Sequence, residues 1–171
     1  DGGGGVSLTA FDNQNSTHFV RIFTPTNTST ECNQSQRHSG TISSGYQLLI
    51  SGTSTTGIDL TGRFYSTLFR FEGLIIKGPG ATSTAYGINS DINSFLVKNC
   101  IITGFARGIS CGRAENNDIT VENTIFYDCN SYGILGASST EQGELDVYNC
   151  TFANCGTGIY QNDHYYHYTI V

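Results

Sequence analysis

Four aspartates, Asp91, Asp118, Asp128 and Asp146, are scattered through a stretch rich in aliphatic and aromatic residues. Carboxylates do general acid–base work, or hold a cation, where two or three of them converge. Near the end of the chain Asp163 and His164-x-x-His167 raise a second chemistry, metal ligation. That segment is Tyr-rich and strand-like, which sets residues three apart on opposite faces, so neither a metal site nor a cofactor is expected from it. Thiol chemistry is a third theme, carried by Cys32, Cys100, Cys111, Cys129, Cys150 and Cys155.

The cysteines are accompanied by four Asn-x-Ser/Thr sequons, at Asn15, Asn27, Asn33 and Asn149. Three of the four fall within the first 35 residues, in a run of Thr, Asn, Ser and Gln that reads as exposed loop. Cysteines together with clustered sequons place the expected setting outside the cell, on a secreted or surface protein. N-glycans are expected at one or more of Asn15, Asn27 and Asn33 in a host that makes them. The chain opens at Asp1 with no Met and no basic-plus-apolar segment, as a processed protein or a fragment would.

Composition narrows the function classes. Gly (21), Thr (21), Ser (17) and Asn (14) dominate, charged residues make up 13%, and Met and Trp are absent, which excludes helical bundles and coiled coils. A formal charge of −6 with eight scattered basic residues provides no footprint for nucleic acid or an anionic membrane. Apolar runs are too short for a membrane span.

An internal repeat supplies the elements that must position any site. Phe71-Glu72-Gly73-Leu74-Ile75-Ile76 aligns with segments beginning at Val97, Val121 and Val147, whose starts fall 26, 24 and 26 residues apart. Each copy is followed by a Gly-Ile pair, at Gly87, Gly108, Gly133 and Gly158, read as a recurring turn. Apolar residues alternate within each copy, which is strand periodicity. The inward columns are Phe69/Phe95/Ile119/Leu145, Phe71/Val97/Val121/Val147, Leu74/Cys100/Thr124/Cys150, Ile76/Ile102/Phe126/Phe152, Phe105/Cys129/Cys155 and Ile88/Ile109/Ile134/Ile159. The outward column Glu72/Lys98/Glu122/Tyr148 alternates in charge and suits surface ion pairs between coils.

With Gly73, Asn99, Asn123 and Asn149 at a strand-to-strand corner, the pattern resembles the right-handed parallel β-helix, the pectate-lyase-like fold. The resemblance, over residues 68–162, implies an all-β, single-stranded solenoid of about five or six coils with an irregular N-terminal segment, and an asparagine ladder of Asn99, Asn123 and Asn149. Asn149 is thereby removed as a glycan acceptor. Enzymes of that fold use clustered Asp with an Arg or Lys base, or two to three Asp on neighbouring coils with a His. The signatures Asn-Thr-Asp, Asp-Asp, Gly-His-Asp and Arg-Ile-Lys are missing here, and the column alignment spreads the four aspartates over different faces, so no catalytic residue is assigned.

Cys129 and Cys155 share a column on consecutive coils, about 5 Å apart, and a disulfide between them is expected in an oxidising compartment. Cys32, Cys100, Cys111 and Cys150 stay unassigned. The organisation reads as a tethered strand and leader over 1–17, irregular coils over 18–66, regular repeats over 67–162 and a C-terminal strand over 163–171. In that last strand Tyr165, Tyr166, Tyr168, Ile170 and Val171 combine high β-propensity with no charged gatekeeper. They, or the strand Val6–Ala10, are candidates to add to a neighbouring copy. The expected function is a non-enzymatic, self-assembling structural glycoprotein of a filament or surface layer, whose partners are copies of itself and covalent glycans or extracellular polysaccharide. The alternative is a carbohydrate-binding or carbohydrate-cleaving protein in which Tyr127, Tyr132 and Tyr160 stack on sugar rings.

Overall fold

The computed structural model describes residues 4–8, 19–61, 68–80, 83–91, 94–112, 118–136, 143–161 and 166–171. Among them every regular element is a strand: β1 (Val6–Ser7), β2 (Val20–Phe23), β3 (Gln47–Leu49), β4 (Ile58–Leu60), β5 (Leu68–Glu72), β6 (Ile75–Lys77), β7 (Tyr86–Ser90), β8 (Ser94–Lys98), β9 (Ile101–Thr103), β10 (Arg107–Cys111), β11 (Asp118–Glu122), β12 (Ile125–Tyr127), β13 (Tyr132–Leu135), β14 (Gly143–Tyr148), β15 (Thr151–Ala153), β16 (Thr157–Tyr160) and β17 (Tyr166–Ile170). They form three parallel sheets, the walls of a solenoid. The first wall runs β2-β5-β8-β11-β14-β17, the second β3-β6-β9-β12-β15 and the third β1-β4-β7-β10-β13-β16.

The strand pairings reproduce the columns read from the repeat: Phe69 lies beside Phe95, Val97 beside Val121, Ile102 beside Phe126 and Ile109 beside Ile134. Stacking like on like fills the interior, and Phe69, Phe71, Phe95, Phe105 and Phe126 are fully buried. Four regular turns are built from β5 to β16, slightly fewer than the five or six expected. They are preceded by a looser turn of β2, β3 and β4, whose first connection is the long segment 24–46.

The first corner turns because its residues take left-handed backbone geometry: φ is 71° at Gly73, 52° at Asn99, 48° at Asn123 and 51° at Asn149. The Asn149 side-chain amide donates to Asn123 Oδ1 at 2.7 Å. The residue after each asparagine returns a donor to the carbonyl two positions back: Cys100 Sγ to Lys98 O (3.3 Å), Thr124 Oγ1 to Glu122 O (2.9 Å) and Cys150 Sγ to Tyr148 O (3.3 Å). Thiols and a hydroxyl therefore alternate in one column because both are small and both can donate. Asn123→Ala is expected to cost about 2–3 kcal/mol, from left-handed strain and a lost hydrogen bond, and Asn123→Gly about 1 kcal/mol. Urea midpoints at unchanged m-value check both, and equal losses would contradict the strain argument.

A second left-handed corner joins the second and third walls at Gly104 (φ 74°), Asp128 (53°) and Asn154 (53°). Asn154 Nδ2 donates to Asp128 Oδ1. The Gly-Ile pairs are not turns. Gly87, Gly108, Gly133 and Gly158 lie within β7, β10, β13 and β16, and the first three lack side chains because the coils approach closely. A Cβ at Gly87 would stand 2.5 Å from Gly108 O, one at Gly108 2.6 Å from Gly133 O, and one at Gly133 2.6 Å from Gly158 O.

Segment 24–46 straps across the first corner. Arg37 Nη2 donates to Thr24 O at 3.3 Å, and His38 Nε2 donates to Asn99 O at 2.7 Å while its Nδ1 accepts from Gly40 N–H.

Candidate functional site

The C-terminal strand β17 pairs in parallel with β14, Gly143 beside Tyr166 and Val147 beside Ile170, so it begins a further coil of its own chain. The pairing continues past the strand, with Asn149 N–H donating to Val171 O (2.8 Å) and Val171 N–H to Val147 O (3.1 Å). Ile170 and Val171 are nevertheless 62% and 82% exposed, because among the described residues nothing lies on their outer side. Tyr166 and Tyr168 hold backbone places in this strand, whereas Tyr165 lies outside the described residues. At the opposite end β1 pairs with β4, Val6 beside Ile58, and Val6 is 37% exposed. Ala10 lies outside the described residues.

Charge is distributed unevenly along the first wall. Arg21, Arg70 and Lys98 occupy its N-terminal half, with Arg21 over the Phe23 ring (4.0 Å) and Arg70 over Phe19 (3.6 Å). Asp118, Glu122, Glu144 and Asp146 occupy the C-terminal half. In the column expected to form ion pairs, Lys98 meets Glu122 at 2.6 Å, but Glu72 pairs with Arg21, also at 2.6 Å. Near the C-terminal edge desolvation, then the neighbouring Asp146 carboxylate, raises the pKa of the Tyr148 hydroxyl.

The four aspartates are less dispersed than the alignment implies. Asp118 and Asp146 share the first wall on consecutive coils, Asp118 lying beside Glu144 and Thr120 beside Asp146. Asp128 is a corner residue bound to Asn154, and Asp91 is an exposed residue just past β7. An open groove of about 330 Å³ runs beside the second corner, lined by Asp128, Asn130, Asn154, Cys155 and Gly156. Among the described residues no three His, Cys, Asp or Glu side chains are grouped to hold a metal.

On the third wall Tyr132 and Tyr160 stack, ring centroids 5.0 Å apart and 26° between planes. Arg107 extends the stripe, 4.9 Å from the Tyr86 ring and 6.0 Å from that of Tyr132. Tyr127 sits on the second wall, so only two of the three tyrosines expected to meet a sugar come together. Tyr86 and Arg107 were hidden because their column mixes residue types.

Compared with protein families, residues 26–171 match the model described as the right handed beta helix region. The chain belongs to the right-handed β-helix family. No curated protein and no solved structure matches it.

In this β-helix all six cysteines are free thiols, so the expected Cys129–Cys155 disulfide is not formed. The two side chains touch, but each sulfur is turned to donate to carbonyls, Cys129 to Ile102 O and Tyr127 O, Cys155 to Phe126 O and Ala153 O. Burial pushes the Cys100 and Cys111 thiols up to about 12 and raises Cys150. For Cys129, burial acts first and the neighbouring Cys155 second, in the same direction. Thiols held protonated in a β-helix core are poor nucleophiles, suited to packing rather than reaction.

Asn27 and Asn33 are exposed on segment 24–46. Asn27 Oδ1 accepts from Ser29 N–H at 3.0 Å, an Asx-turn within the sequon. Asn15 lies outside the described residues, and Asn149 is held in the ladder. No helix of this β-helix protein is long and apolar enough to cross a membrane, among the described residues.

Proposed function

We propose that this β-helix protein is a non-enzymatic structural glycoprotein outside the cell, a subunit that associates with copies of itself into a filament or surface layer. The observation that carries this reading is the apolar edge of β17, which among the described residues has no strand on its outer side. Ile170 is 62% exposed although its column is buried in the coils before it. An unpaired strand edge with exposed apolar residues is a template for another chain. Because β17 is already paired with β14, end-to-end stacking is favoured over donation of this strand into a neighbour. Exposed sequons at Asn27 and Asn33, on a segment away from the C-terminal edge, support glycan attachment that leaves that edge clear.

Electron microscopy of purified protein at rising concentration tests the proposal, with intact-mass analysis for glycans. Filaments or sheets are expected; monodisperse protein at every concentration would overturn it. A second reading, carbohydrate binding, is favoured by the Tyr132–Tyr160 stack with Arg107 beside it, an aromatic and cationic surface of the kind that meets acidic sugars. Monomers retained or slowed by an acidic polysaccharide would select that reading.

A further inference from the structure

We propose that two copies of this chain pair side to side through the outward face of the first wall, their solenoid axes antiparallel, so that Arg70 of each copy meets Asp146 of the other. This rests on the self-association reading and adds to it a lateral surface, separate from end-to-end stacking.

Two adjacent columns run along that face. Arg70, Leu96, Thr120 and Asp146 lie in register across β5, β8, β11 and β14, and beside them run Glu72, Lys98, Glu122 and Tyr148. Within the chain the charges pair incompletely. Among the described residues the ion pairs are Arg21–Glu72 and Lys98–Glu122, each at 2.6 Å. Arg70 stacks on the Phe19 ring and, among the described residues, is ion-paired with no carboxylate; three coils away Asp146 is ion-paired with no cation. Their strands are three spacings apart, about 14 Å, so the two cannot meet within one chain.

A two-fold axis along the strand direction, passing between β8 and β11, brings the face onto a copy of itself. Strand β5 then faces β14 of the second copy and β8 faces its β11, across the ~10 Å gap of packed sheets. Each residue keeps its place along the strand, so a column meets the same column with its order reversed. Arg70 faces Asp146, Leu96 faces Thr120, Lys98 faces Glu122 and Glu72 faces the Tyr148 hydroxyl, which can donate to it. In these two columns no like charges stand directly opposite. The two Leu96 side chains come together at the axis as a small apolar centre in a charged frame. Each Lys98 lies between two Glu122 carboxylates, one in its own chain and one across the gap, and such a network holds better than an isolated surface pair.

Charge also selects the orientation. A two-fold axis along the solenoid would set Arg70 against Arg70 and Asp146 against Asp146, which repel. The antiparallel contact is isologous and closes at two copies. It uses only the side of the solenoid, so it is independent of how the coils continue at either end. Six strands spaced by about 4.8 Å, with about five residues each, make a face of roughly 400 Å². That is half of the roughly 800 Å² per partner in a standard interface, so the dimer is weak and concentration-dependent.

The test mixes two variants of the full chain, Arg70→Glu and Asp146→Arg, and follows association by sedimentation velocity. Each variant alone sets like charges together at both contacts, and its dimerisation is expected to weaken about tenfold or more. Mixed one to one, the new acid of the first faces the new base of the second, while Asp146 of the first faces Arg70 of the second. Dimers are then expected to return to near the parent's level. Variants that associate alone as the parent does, or folded variants that stay apart when mixed, overturn the wall pairing; self-association of the parent then leaves the broader reading standing. A parent that is monodisperse at every concentration overturns both. Circular dichroism checks that each variant folds. Should either fail to fold, the parent's response to salt decides: its dimerisation is expected to fall about tenfold between about 0.05 M and about 1 M salt, and association that is unchanged or strengthened overturns the pairing.

Discussion

Gly108→Val is expected to lose about 3 kcal/mol of stability or more, read as a fall in urea midpoint. A Cβ at this position would lie 2.6 Å from Gly133 O and 2.6 Å from Phe126 Cδ1. The ring can shift by a few tenths of an ångström, but the carbonyl belongs to the next strand of the third wall. Relief therefore requires β10 and β13 to separate, which sacrifices their pairing of Arg107 with Tyr132 and Ile109 with Ile134. Valine's preference for strands does not help, since the obstacle is distance between coils rather than backbone conformation. A Gly108→Val protein as stable as the parent would mean that the coils lie further apart than described.

Phe126→Ala is expected to cost about 3–5 kcal/mol, the range for deleting a buried aromatic ring. Phe126 is fully buried and stacks on Phe152, centroids 4.9 Å apart and planes within 6°. The ring also backs onto Gly108, so the cavity cannot close by backbone collapse without dragging the third wall inward. In a solenoid each coil contacts only its neighbours, so the loss should be local. Hydrogen exchange is expected to accelerate first in β11–β16 and least in β5–β7, and uniform acceleration would contradict this.

The regular coils were legible in the sequence because like residues stack on like, and Phe71, Val97, Val121 and Val147 announce a column by themselves. The first corner was legible for a related reason: three of its four members are asparagine, a residue that tolerates positive φ. The second corner was not, since Gly104, Asp128 and Asn154 share geometry but no side chain, and Asp128 drew attention as a carboxylate instead. The Gly-Ile pairs were visible but misread, because glycine is usually required for positive φ and here it is required for proximity. Arg21 falls in a strand expected over His18–Phe23 that was not aligned with the repeat columns, so its capture of Glu72 could not be seen. Column position located Cys129 and Cys155 beside each other but carried no information on which way the sulfurs turn.

The register of about 24–26 residues per coil also sets how the molecule answers to tension. Each coil adds about 4.8 Å of axial length but stores roughly 80 Å of extended chain. Pulled along its axis, the solenoid has its ladders loaded rung by rung, like a zipper, rather than all at once in shear. Yielding in steps, with every released coil lengthening the molecule many-fold over its folded rise, makes this architecture a store of slack that gives way gradually instead of snapping.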